Sequence, residues 1–162
     1  MECFISLEEK TANGLISLMV VRKMPSGKYC LGIYLVDKYF LGLKSTTYRF
    51  AIEKQEIEEI AEEMFAQYGG CKPTTNEYAH NLIYGGIDYA EELGFKPDKD
   101  WALTQYFLNP DYITEAIDEI EFGRGGVPYY FAGPYDNVNH ILNTLRKNVG
   151  EDNFHYVATT DF

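Results

Sequence analysis

The chain has 162 residues, 46% of them hydrophobic and 24% charged, and carries a formal net charge of −11. That length fits a single domain over residues 1–162 with a core large enough to need no disulfide or metal staple, and the composition excludes a disordered chain. The acidity repels phosphate backbones and argues against nucleic-acid binding, and no run approaches the ~20 apolar residues of a membrane span.

The first third reads as strands. Leu15–Met24 and Lys28–Asp37 are apolar, β-branched runs separated by the turn chemistry of Pro25-Ser26-Gly27. Tyr39–Lys44 and Thr46–Ile52 continue in the same style, which predicts an antiparallel meander of about four strands. Leu31, Ile33, Tyr34, Leu35 and Val36 are apolar on both faces, so helices must cover this sheet.

The period then changes. In Glu53–Gln67 the apolar positions Ile57, Ile60, Ala61, Met64 and Phe65 fall on one helical stripe, opposite a row of glutamates, and Gly69-Gly70 ends the segment. A second helix is expected after Pro73, with Thr74 and Glu77 as a capping box and Ala79, Leu82, Ile83, Ile87, Ala90 and Leu93 inward. Gly85-Gly86 inside it costs about 1 kcal/mol per glycine relative to alanine, and close approach of another element is the favoured explanation over room for a ligand. Pro97–Trp101 looks like a third helix start, capped by Asp98 or Asp100 and ended by Asn109-Pro110.

In the last third, Ile117–Phe122 and Val127–Ala132 flank Gly123–Gly126, which predicts a β-hairpin. Asp136–Asn148 reads as a helix stopped by Gly150, and Phe154–Ala158 as a final strand. Strands, then helices, then hairpin, helix and strand describe an α+β fold, not an alternating α/β one.

Chemistry-bearing patterns are sparse. Cys3, Cys30 and Cys71 are odd in number and far apart, with no C-x-x-C pair, so free thiols are expected. His80, His140 and His155 form no metal-binding pair at helical spacing, and His80 following Glu77 by three reads at most as a helix-surface pair. The Gly123–Gly126 stretch lacks the lysine and following helix of a phosphate loop, although Arg124 at its tip can grip a carboxylate or phosphate. Two places bring acid and base together at element ends: Asp37 with Lys44, and Asp98-Lys99-Asp100. Side chains converge at such ends, so Asp37, Lys44, Asp98, Lys99, Asp100 and Arg124 are the candidate binding residues. No metal ligand set or cofactor is expected. The 14 tyrosines and 10 phenylalanines are core on strands by default, and any surplus on one face becomes a binding platform.

Two stretches carry a resemblance. Gly32–Lys44 with Tyr48-Arg49-Phe50, and Tyr84–Trp101, resemble a group of uncharacterised bacterial proteins with "YLVD…CLGVKD…Y.F" and "YGAI.YAE.LGF.PHKDF" stretches and no assigned activity. Phe40, Ser45 and Asp98 stand where that pattern has Cys, Asp and His. The resemblance implies a bacterial, cytoplasmic setting. The acidic start Met1–Glu9 agrees with that compartment, because a secretory signal needs basic residues there.

The leading expectation is therefore a binding or interaction domain without catalytic activity, its partner a protein or small molecule, with homo-oligomerisation through a free strand edge also open. The alternative is a metal-dependent hydrolase built on Asp37, Asp98 and Asp100, which requires those carboxylates to share one pocket.

Overall fold

The computed structural model describes residues 1–7 and 13–157. The fold is α+β, and its main element is a five-stranded antiparallel sheet: β1 (Glu2–Ser6), β2 (Leu15–Lys23), β3 (Tyr29–Asp37), β4 (Gly42–Ile52) and β5 (Cys71–Thr74). The spatial order is β4-β3-β2-β1-β5. β2 and β3 pair without interruption from Leu15 opposite Asp37 to Lys23 opposite Tyr29. Their apolar residues do not alternate with polar ones because both faces are covered. Leu18 and Val20 pack toward helix α2 (Asn76–Glu92), while Met19 and Val21 pack toward helix α1 (Lys54–Phe65). All four are fully or almost fully buried, and each such side chain contributes roughly 1.5–3 kcal/mol of hydrophobic stabilisation.

The sheet departs from the expected meander in three ways. β1 and β5 are additional strands, so there are five and not about four. β5 escapes a propensity reading because Pro73 lies inside it; Pro73 is tolerated because β5 is an edge strand. The runs 39–44 and 46–52 merge into the single strand β4, with residues 38–41 forming the turn before it. Near its end β4 bulges. Tyr29 pairs with Ile52 and Leu31 with Arg49, which leaves Phe50 and Ala51 opposite Cys30, and Ala51 takes the left-handed φ of 55°.

Helix α2 is capped by Thr75, whose hydroxyl accepts from the Tyr78 N–H at 3.1 Å, and not by Thr74, which ends β5. Gly86 lets this helix lie directly on β4. A Cβ added at Gly42, where φ is 68°, would come within 2.4 Å of the Gly86 carbonyl oxygen. Close approach thus explains the glycine pair: Gly86 meets Val36 and Gly42, and Gly85 meets Phe122 and Ile117. Helix α3 is a short turn, Trp101–Thr104, continued by a 3-10 turn over Gln105–Phe107.

The C-terminal third forms a separate layer on the end of α2. Helix α4 (Val138–Val149) buries Leu142 and Leu145 against Phe40, Leu93, Phe95, Tyr130 and Phe154. Its cap is Asn137, which accepts from the His140 N–H at 3.1 Å, and Gly150 closes it at φ 90°. A strand pair is present here, β6 (Tyr129–Phe131) and β7 (His155–Val157), but the two run parallel. The expected hairpin survives only as its turn, closed by one antiparallel bridge between Arg124 and Val127. Ile117–Phe122 is not a strand; a 3-10 turn spans Glu115–Glu119, and Ile117 and Phe122 serve as packing against Gly85. Of the final strand expected over Phe154–Ala158, Ala158 lies outside the described residues.

Candidate functional site

Asp37 ends β3, and its carboxylate closes the turn into β4, accepting from the Tyr39 N–H at 2.9 Å. Burial pushes its carboxyl up to about 7, against the opposing pull of the Tyr39 N–H, the Lys44 ammonium and the N–H groups of Phe40 and Leu41. The same turn anchors its surroundings. The Gly123 N–H donates to the Lys38 carbonyl at 2.8 Å and the Tyr129 N–H to the Tyr39 carbonyl at 3.2 Å.

Asp98 joins the loop after α2 to the margin of β4. Its Oδ2 accepts from the Thr46 N–H at 3.2 Å and its Oδ1 from the Asp100 N–H at 3.0 Å, while its own N–H donates to the Leu43 carbonyl at 3.1 Å. Asp100 occupies the cap position of α3 without a side-chain capping bond. Lys44, Lys99 and Asp100 are exposed. Arg124 lies over the Tyr129 ring, 5.0 Å from its centroid. The two sequence stretches singled out by resemblance therefore interlock: Gly42 against Gly86, Leu43 and Thr46 against Asp98, and Tyr34 against Trp101 with ring centroids 6.4 Å apart. The oxygens of Asp37 and Asp98 that make hydrogen bonds make them to backbone amides. Among the described residues no three His, Cys, Asp or Glu side chains group as a metal-ion site.

Other buried polar groups belong to the same scaffold. His80 is fully buried in α2. Its Nδ1 donates to the Asn76 carbonyl at 2.7 Å and its Nε2 accepts from the Asn109 N–H at 3.0 Å, so the ring is the neutral Nδ1–H form. Burial holds its pKa below the ordinary histidine value. It faces the core, not a surface pairing with Glu77. Asn81 clamps Thr114 with two 2.9 Å bonds, and the Thr46 hydroxyl donates to the Ile33 carbonyl at 2.7 Å and accepts from the Thr104 hydroxyl at 2.9 Å. Apart from the His80–Asn76 bond within α2, these contacts join residues far apart in the chain, and no local spacing could have marked them.

What the scaffold leaves open is aromatic. Beyond Thr46, residues 47–51 of β4 are all exposed. Tyr48 and Phe50 project from this margin at 41% and 61% exposure; in the α3 segment Leu103 and Tyr106 are at 53% and 76%. Tyr48 stacks on Phe107 with centroids 5.5 Å apart, so the strand and the α3 segment form one ledge. Beside it a cleft of about 340 Å³ is lined by Arg22, Lys23, Met24, Pro25, Cys30, Phe50, Tyr106 and Phe107. This lining holds two cations and no carboxylate. Other grooves differ: under α1, Glu2 and Glu58 oppose Lys54 and Lys23, the latter lining both clefts, and along α2 the charged residues are Lys38 with Glu77, Glu119 and Glu121, then Asp88, Glu92 and Asp118. Strand propensity identified Tyr48 and Phe50 as strand residues but could not say that no helix covers them.

No protein-family model, curated protein or solved structure matches this chain. No helix among the described residues is long and apolar enough to cross a membrane.

Proposed function

We propose that this chain is a soluble, cytoplasmic binding or interaction domain without catalytic activity, and that its contact surface is the ledge of Tyr48, Phe50, Leu103 and Tyr106. The carrying observation is the exposure of four large apolar side chains on β4 and on the α3 segment that packs against it through Tyr48 and Phe107. Contiguous exposed apolar area of this kind marks interaction sites, and tyrosine is favoured there because it adds area at low entropic cost. The polar chemistry supports the same reading. Asp37, Asp98 and His80 make their hydrogen bonds within the scaffold.

A random peptide library displayed on phage tests this. Selected peptides are expected to bind the wild-type chain and to lose at least about tenfold in affinity on a Phe50→Ser/Tyr106→Ser variant, a loss of about 1.4 kcal/mol. Both side chains are exposed, so the variant keeps its melting temperature. Peptides that bind both proteins equally would count against the ledge. The alternative, a hydrolase using Asp37, Asp98 and Asp100 with a divalent ion, requires Mg²⁺, Mn²⁺ or Zn²⁺ to raise the melting temperature, and Asp98→Asn to remove that rise.

A further inference from the structure

Given a binding domain that uses the aromatic ledge, we infer that the partner is an acidic peptide segment, with a carboxylate side chain held by Arg22 and a neighbouring apolar side chain seated between Phe50 and Tyr106. Charge decides the sign of the partner. The whole chain stands at −11, yet this cleft is lined by Arg22 and Lys23 and by no carboxylate. Arg22 is exposed, and its side chain has no hydrogen bond or ion pair to another described residue. Its planar fork is therefore free to take a carboxylate through two parallel bonds. Lys28 and Arg146, by contrast, are already paired with Glu53 and Glu151.

Extent decides the kind of partner. A small ligand is enclosed on most of its surface by its pocket. Here exposed apolar side chains extend past the cleft: Tyr48 stacks on Phe107 of the cleft wall, and Leu103 is exposed in the same α3 segment. A peptide anchored in the cleft and laid across the ledge covers both. The net negative charge elsewhere on the chain steers basic segments to other faces, so the cleft discriminates as well as binds.

The test is a titration of ¹⁵N-labelled protein with a blocked peptide of alternating glutamate and tryptophan, and with versions carrying glutamine or lysine in place of glutamate. The glutamate peptide is expected to shift the Arg22 side-chain N–H and the amides of Cys30, Phe50 and Tyr106. It should bind about tenfold tighter than the lysine peptide and weaken more than the glutamine one as salt rises. Arg22→Gln should bring the glutamate peptide to the level of the glutamine peptide, and Lys147→Gln should change nothing. Equal binding of the glutamate and lysine peptides at the ledge would overturn the acidic preference while leaving the ledge as the contact surface. Absence of ledge shifts with all three peptides would remove both.

Discussion

Asp37 is buried in a turn whose backbone amides hydrogen-bond its carboxyl. Its carboxyl is raised to about 7 from an ordinary value near 3.8, chiefly by burial, and Lys44 only moderates this. In the native state the group therefore keeps its proton at pH values where the unfolded chain has lost it. Its favourable contribution is complete below about pH 4 and disappears as pH rises through about 7. Asp37→Asn keeps an oxygen for the Tyr39 N–H and has no proton to lose. The variant is expected to be more stable than wild type above pH 7, by about 2–4 kcal/mol, with the difference shrinking toward pH 4. Urea denaturation of both proteins across that range measures it. A constant difference would mean that Asp37 does not titrate in this window. Adjacency of Asp37 and Lys44 was legible in the sequence, but the sequence does not reveal the burial that gives Asp37 its altered acidity.

At the scale of elements, the contact between α2 and β4 sets the architecture. Gly42 combines a left-handed backbone with a site where a side chain would meet the Gly86 carbonyl. Gly42→Ala is expected to cost about 3 kcal/mol or more, because backbone strain and overpacking add. Gly27 has a φ of 89° but open space around it, so Gly27→Ala should cost only about 1 kcal/mol. Thermal or urea unfolding of the pair separates strain from collision; equal losses would mean the collision is relieved by a cheap shift. The sequence announced α1, α2 and α4 because each carries an apolar stripe facing one layer. It failed at Ile117–Phe122, where apolar side chains pack onto Gly85 without any ladder partner. It also failed at β5, whose place in the sheet comes from pairing with β1 through residues about 70 positions apart. Both placements are set by tertiary contacts, and at β5 the internal Pro73 also masks the strand.

Across the whole molecule, the sheet with α1 and α2 is joined to the C-terminal layer through Phe40, Leu93 and Phe95. That layer relies on its own smaller cluster, in which Leu145 is fully buried. Leu145→Ala is expected to destabilise it by about 2–5 kcal/mol. Hydrogen exchange should then accelerate in α4, β6 and β7 before it does in β2 and β3, since structure opens in cooperative units. Simultaneous acceleration everywhere would mean that the two layers unfold as one. The candidate surface lies at the opposite end of β4 from this junction, at residues 47–51, where a bulge places Ala51 at φ 55° and Arg49 donates from its own side chain to the Tyr48 carbonyl at 3.0 Å. A margin kinked and self-occupied in this way makes a poor template for a foreign strand. Recognition there must be carried by side chains, so single substitutions in a partner would be felt individually. For the same reason two copies meeting at this rim find no straight seam along which to stack into fibres.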